Sequence, residues 1–207
     1  MAEDLSWQAS LFGGAEEPVA FDASFTAIER RELAHGAWLD LLPGWVRGAD
    51  ALFEQILEVA DWQSRTIRMY DRVVPEPRLV ARWRFDRDGA PLPVVADMAE
   101  ALSQRYGVRF TSVGANLYRD GSDSVAWHGD RVARELPEAI VALVSLGATR
   151  PFKLRPKGGG PAITLLPGRG DLYVMGGSCQ RTWDHAVPKV KTAEPRISLQ
   201  FRHDYDR

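Results

Sequence analysis

The half of the chain after Gly107 most constrains the fold, because short runs of strand-forming residues follow one another without a helical segment between them. Glycine and proline residues separate these runs and indicate turns. Such a series predicts an antiparallel sandwich or barrel, since parallel strands need long crossover connections that are usually helical. The predicted strands are Phe110–Tyr118, Ala139–Leu146, Pro151–Leu154, Ala162–Leu166, Asp171–Met175 and Arg196–Arg202.

The first half of the chain mixes helices and strands. Apolar residues from Leu52 to Ala60 recur at the helical period, and Asp50 stands where it can cap that helix. A second helix contains Asp97 to Tyr106 and ends near Gly107. Three strands are expected, the last two joined by a proline-marked link at Val73–Pro77; they are Ala37–Leu42, Thr66–Tyr70 and Arg78–Phe85.

This pattern predicts a mainly β, α+β protein of one domain. Residues 1–20 are expected to form a flexible arm, about 21–107 an N-terminal cover, and about 108–207 the β core. The length of 207 residues suffices for one well-filled core, and the formal net charge of −2 gives no overall sign of nucleic-acid affinity. A lone cysteine, no signal peptide and no membrane-length apolar run predict a cytoplasmic protein without membrane contact.

Residues 116–130 run as a strand into a polar turn and end with His128 and Asp130. On an extended backbone these two side chains point to the same side, so that both can bind one metal ion. His185 is the best candidate for a third ligand, and two histidines with one carboxylate form the ligand set of non-haem Fe(II) oxygenases. The alternatives are a surface ion pair and a histidine packed in the core, although Gly129 permits a close backbone approach.

The last predicted strand carries two arginines on one face. Strand alternation places Arg196, Ser198, Gln200 and Arg202 on that face and apolar residues on the other. The arginines are solvated if the polar face is outside, and they need anionic partners if it looks into a barrel. A dicarboxylate co-substrate would supply those anions.

Five ordered segments between about residues 66 and 203, with a weaker match at Pro77-Arg78-Leu79, resemble the AlkB family of Fe(II)/2-oxoglutarate-dependent nucleic-acid demethylases. The segments are 116–130, 145–152, 170–175, 183–189 and 195–202. The resemblance implies a double-stranded β-helix (jelly-roll) core under a nucleotide-recognition region. It also implies oxidative demethylation of N-alkylated bases with O₂, releasing formaldehyde, succinate and CO₂.

The resemblance assigns side chains to both iron and co-substrate. The Fe(II) ligands are His128, Asp130 and His185. The 2-oxoglutarate contacts are Asn116, Tyr118, Arg196, Ser198 and Arg202. Arg196 with Tyr118 would bind the distal carboxylate, and Arg202 with Asn116 the end that chelates iron. Ser198 stands where many relatives carry asparagine, so a rearranged contact is expected there.

The expected partner is alkylated DNA or RNA, with the base flipped out or already single-stranded. Tyr70 and Trp83 are candidates to flank the base, with ordinary core packing as the alternative. Arg150, Arg155 and Lys157 are candidates to hold phosphates, with surface solubility as the alternative.

Members of the family that this chain resembles commonly carry acidic residues directly after the metal aspartate, one of which reads the damaged base, whereas this chain has Arg131-Val132. Substrate preference is therefore not carried over. A 2-oxoglutarate-dependent hydroxylase or demethylase of a protein or small molecule is one alternative function, and a non-catalytic nucleic-acid-binding sandwich is another. The demethylase is the favoured interpretation, as a monomer, with the choice of DNA or RNA and of adduct left open.

Overall fold

Antiparallel β-sheet dominates the structure, a computed structural model that describes residues 18–69, 72–129 and 138–203. The helices are α1 (Ala49–Val59), α2 (Pro93–Tyr106) and the short α3 (Cys179–Thr182), with a 3₁₀ turn at Ala34–Gly36. The strands of the first half are β1 (Ala20–Phe21), β2 (Glu29–Glu32), β3 (Ala37–Leu42), β4 (Val46–Arg47), β5 (Gln63–Met69) and β6 (Arg72–Arg84). Those of the second half are β7 (Phe110–Tyr118), β8 (Val125–His128), β9 (Val141–Gly147), β10 (Phe152–Pro156), β11 (Ile163–Leu165), β12 (Leu172–Gly177), β13 (Trp183–Val187) and β14 (Arg196–His203).

Two sheets of unequal size form the sandwich. The large sheet has eight strands in the order β2-β3-β12-β9-β14-β7-β6-β5, and the small sheet has four in the order β11-β10-β13-β8. Every pairing within them is antiparallel. One apolar cluster draws side chains from β3, β9 and β12 of the large sheet and from β10 and β13 of the small one. The sheets therefore face each other, as the run of short strands predicts.

The opposite face of the large sheet is covered by α1 and α2. Ile197, Leu199 and Phe201 of β14 point to this side and are fully buried, together with Phe53 of α1 and Met98 of α2. Burying side chains of this size stabilises the fold by about 1.5–3 kcal/mol each. Because residues alternate along a strand, this packing turns the polar residues of β14 toward the small sheet.

Two sequence predictions about the first half differ from the structure. The proline-marked link at Val73–Pro77 is part of β6, whose pairing with β7 begins only at Leu79. Prolines are tolerated before Leu79 because that part of β6 does not pair with β7, so their missing N–H groups remove no hydrogen bond to β7. Gly48, at φ 63°, is the N-cap of α1, whereas Asp50 lies in its first turn and pairs with Arg169 at 3.2 Å.

The expected arm of residues 1–20 falls largely outside the described residues, and Ala20 already pairs with Arg47. Among the residues described, no helix combines the length and hydropathy needed to cross a membrane. Cys179 is 2 % exposed, and burial raises the pKa of its thiol to about 12. This cysteine is thus a buried structural residue.

Candidate active site

The small sheet brings the two predicted histidine ligands together. His128 on β8 and His185 on β13 are directly opposed in the antiparallel ladder, and their ring centroids lie 4.2 Å apart. His128 Nδ1 is 2.8 Å from the carbonyl oxygen of Ala126. When Nδ1 donates its proton to that carbonyl, Nε2 keeps the lone pair that a metal ion requires.

Asp130, the third predicted ligand, lies outside the described residues, so its role stays a prediction. Within the ranges that the structure does describe, no three His, Cys, Asp or Glu side chains form a metal-binding group. Gly129, the residue before Asp130, is packed closely. A Cβ atom there would lie 2.7 Å from the carbonyl oxygen of Gln180 and 2.9 Å from Lys157 Nζ. Only glycine lets the chain leave β8 along this path.

A cavity of about 420 Å³, its mouth included, lies between the two sheets and contains both histidines. Its polar wall comes from two neighbouring strands of the large sheet, β7 and β14. All five predicted 2-oxoglutarate contacts line it, together with one further polar residue of β14: Asn116, Tyr118, Arg196, Ser198, Gln200 and Arg202. The remaining walls are apolar, with the Phe152 ring tilted by 34° against the His185 ring at a centroid distance of 5.5 Å.

Arg196 is the charged residue that most limits what this cavity can hold. It is 3 % exposed, its Nε donates to Ser145 Oγ at 3.0 Å, and its Nη1 has no hydrogen-bond partner in the part of the chain that the structure describes. Burial lowers the pKa of its guanidinium, and among the described residues no carboxylate lies within ion-pair distance of it. A buried cation without an anion is costly, so the site fits a ligand that brings a carboxylate.

Tyr118 lies beside this arginine, with the Arg196 guanidinium 5.5 Å from its ring centroid. Burial raises the pKa of the Tyr118 hydroxyl, which therefore stays protonated and can donate a hydrogen bond; the Asn116 side chain also contacts it. Together, Arg196 and Tyr118 offer two kinds of donor to one carboxylate.

Two residues of the site were not predicted as contacts. Ser145 orients Arg196, and its sequence signal is that it is the one polar residue in the otherwise apolar strand β9. Gln200 lies between Ser198 and Arg202 on the polar face and donates from Nε2 to the Ser198 carbonyl oxygen at 2.5 Å. The same alternation that identified its neighbours places Gln200 in the cavity.

Two of the predictions about substrate-binding residues are wrong. Arg150 is 1 % exposed and donates to three backbone carbonyls, so it cannot meet a phosphate. Trp83 packs against the helix-covered core beside Val113, on the opposite side of the large sheet from Asn116 and Tyr118. It therefore cannot flank a base in the cavity.

The other substrate predictions remain untested. Tyr70 lies outside the described residues. Arg155 is half-buried, with its guanidinium 4.2 Å from the ring centroid of Trp127, which points away from the cavity. Lys157 is exposed, and its Nζ donates to the Gln180 carbonyl oxygen at 3.0 Å. Both cations lie near the C-terminal end of β8, next to His128.

Comparisons with known proteins agree with this geometry. The sequence profile of the 2OG-Fe(II) oxygenase superfamily matches residues 41–202. The DNA oxidative demethylase ALKBH2 of Arabidopsis thaliana is 38% identical over 215 residues, which cover 83% of this chain and 68% of that protein. The alpha-ketoglutarate-dependent dioxygenase alkB homolog 3 of Bos taurus is 34% identical over 187 residues, or 80% of this chain. This chain spans only 65% of the length of that relative.

Solved structures share the fold at low sequence identity. The structure of OsALKBH1 superposes with a TM-score of 0.59 at 17% identity, covering 85% of this chain and all of that one. A prolyl hydroxylase from Trichoplax adhaerens, in complex with a hypoxia inducible factor peptide, gives a TM-score of 0.57 at 12% identity over 80% of this chain and 83% of its own. The jelly-roll fold is thereby confirmed. The chain belongs to the 2OG-Fe(II) oxygenase superfamily, as a member of its AlkB family.

Proposed function

We propose that this protein catalyses the Fe(II)- and 2-oxoglutarate-dependent oxidative demethylation of N-alkylated nucleobases in DNA or RNA. The observation that carries the proposal is one cavity lined by an opposed histidine pair and by a buried arginine that meets no carboxylate among the described residues. The names of the relatives, a DNA oxidative demethylase and an alpha-ketoglutarate-dependent dioxygenase, support the same chemistry.

His128 and His185 would bind Fe(II), with Asp130 as the third ligand. When bound, the iron and 2-oxoglutarate would supply the oxidising power from O₂. The protein would bind and orient these groups and exclude water. The Ala126 carbonyl fixes the ring orientation of His128, and the apolar walls around Phe152 exclude water.

The co-substrate would be held by the polar wall of the large sheet. Arg196 and Tyr118 would bind its distal carboxylate, since both are buried donors without a competing carboxylate among the described residues. Arg202, Asn116 and Ser198 would contact the rest of the molecule toward the histidines. Ser198 is shorter than asparagine, so its hydroxyl would contribute a single contact.

The nucleic acid would approach from the side on which β8 ends, where Arg155 and Lys157 lie. A base within a duplex cannot reach a cavity between two sheets, so the target base must be flipped out or single-stranded. Lys157 would contact a phosphate directly because the residue is exposed and its Nζ, which donates to the Gln180 carbonyl oxygen, has two further N–H donors. We further propose that the protein is monomeric and cytoplasmic, which gel filtration and fractionation would test.

Formaldehyde release from methylated oligonucleotides tests the proposal. Single- and double-stranded DNA and RNA carrying different N-methylated bases are incubated with Fe(II), 2-oxoglutarate and O₂, with His128→Ala as the matched control. We expect formaldehyde and succinate in equal amounts, and neither from the variant. Succinate formation without turnover of any alkylated oligonucleotide would refute the nucleic-acid substrate and favour a protein or small-molecule substrate.

A further inference from the structure

Arg150, between β9 and β10, makes contacts that its sequence position does not reveal. Its side chain is 1 % exposed, and Nη1 donates to the carbonyl oxygen of Asp120 at 2.8 Å. Nη2 donates to the carbonyl oxygens of Asp123 at 2.9 Å and Pro188 at 3.0 Å. One planar guanidinium thus binds three backbone carbonyls, and we call this set the Arg150 anchor.

These carbonyls flank the two histidine strands. Asp120 and Asp123 belong to the loop that joins β7 to β8, and Pro188 directly follows β13. The two strands are antiparallel, with Val125 opposite Val187, so the start of β8 lies beside the end of β13. Nη2 therefore joins the two strands just beyond their last paired residues.

Strand β8, which carries His128, makes few pairings of its own. β8 has four residues, lies at the edge of the small sheet, and pairs with β13 at only two positions with an irregularity between them. The loop in front of it is also held by Arg119, whose Nε and Nη2 donate to the Asp123 carboxylate at 2.8 and 2.9 Å. Two backbone hydrogen bonds also hold this loop: Ser124 N–H donates to the Pro77 carbonyl oxygen at 2.7 Å, and Val190 N–H donates to the Gly121 carbonyl oxygen at 2.9 Å. The loop and β13 together therefore support β8.

We propose that Arg150 is a positioning residue for the metal site, because its anchor sets the separation of His128 and His185. This inference rests on the proposed assignment of both histidines as metal ligands. A lysine at position 150 keeps the charge but lacks the fork needed to reach all three carbonyls. Groups that orient metal ligands typically change metal affinity by roughly 10- to 100-fold when replaced.

Co(II) binding to the metal-free protein tests this inference without any turnover. Arg150→Lys and Arg150→Met are titrated anaerobically with Co(II), and the visible absorption reports ligand geometry as well as affinity. Asp40→Asn is the matched control, because it removes the ion pair between the buried Asp40 and the partly exposed Arg30 on the helix-covered side of the large sheet. His128→Ala is the control for the site itself.

We expect both Arg150 variants to bind Co(II) roughly 10- to 100-fold more weakly, with an altered spectrum. Asp40→Asn should lower the melting temperature but leave Co(II) binding unchanged. Wild-type affinity and spectrum in the Arg150 variants would overturn the inference. If neither folds, Arg119→Met loosens the same loop from its more exposed side, and unchanged Co(II) binding there would overturn it equally. Retained Co(II) binding in His128→Ala would instead refute the proposed metal ligands.

Discussion

Replacing Arg196 with methionine should affect stability and co-substrate binding in opposite directions. The variant keeps most of the buried volume, loses the 3.0 Å hydrogen bond to Ser145 and removes a cation that is 3 % exposed. The lost bond costs about 1.5–3 kcal/mol, whereas burying an unpaired ion costs several kcal/mol. We therefore expect the free energy of unfolding of the ligand-free protein to rise by about 1–3 kcal/mol.

Binding of 2-oxoglutarate should weaken in the same variant. A guanidinium that binds a carboxylate with two charge-assisted hydrogen bonds contributes about 3–6 kcal/mol, or roughly 10²- to 10⁴-fold in Kd. Urea unfolding of the ligand-free protein measures the first effect. Anaerobic calorimetric titration with 2-oxoglutarate in the presence of Mn(II) measures the second.

A surface variant, Arg87→Met, provides the matched control for this experiment. Arg87 is exposed, so its replacement should change the unfolding free energy by less than about 0.5 kcal/mol. The reasoning is refuted if Arg196→Met is less stable than the parent protein and binds 2-oxoglutarate with unchanged affinity. That result would mean that the guanidinium is a structural group with no anion to bind.

The other predictions concern Trp83, Cys179 and Tyr173. Trp83→Ala should lower the unfolding free energy by about 2–4 kcal/mol, because Trp83 packs in the helix-covered core, while the KM for an oligonucleotide stays unchanged; a raised KM would return Trp83 to the substrate site. Cys179 should resist thiol reagents at pH 8 until the protein is unfolded in urea, because its pKa is about 12; rapid labelling of the native protein would contradict this. Burial raises the pKa of Tyr173 to about 12 from 10.0, so the unfolded chain loses this proton first and stability should fall as pH rises from 10 to 12. Thermal unfolding of Tyr173→Phe should show a smaller loss of stability between pH 10 and pH 12. An identical loss in the variant and the parent protein would exclude Tyr173 as its cause.

Periodicity predicted the parts of the site that lie on regular strands. Arg196, Ser198 and Arg202 could be assigned to one face because residues alternate along β14, and the helices bury the other face. His128 and His185 required only that two strands pair, which the antiparallel arrangement supplies. These features follow from local geometry, which the order of residues encodes directly.

Features that depend on distant backbone atoms could not be predicted in this way. Arg150 has the same side chain as a surface arginine, and only the fold places three carbonyls around it. Trp83 lies on a strand with two possible faces, and the packing of α1 and α2 determines which of them is covered. The prolines of β6 suggest a break, and their tolerance depends on where β7 ends.

The two halves of the site belong to different sheets: the histidines to the small one, and the co-substrate contacts to the large one. A ferrous ion bound by the histidines, together with 2-oxoglutarate bound by β7 and β14, would link the two sheets. Separation of the sheets would then require these ligands to dissociate. Amide protons of β8 and β13 should exchange more slowly when metal and 2-oxoglutarate are both present than with either alone. Binding of both ligands would thus stabilise the packing of the two sheets in the same state that is ready to react.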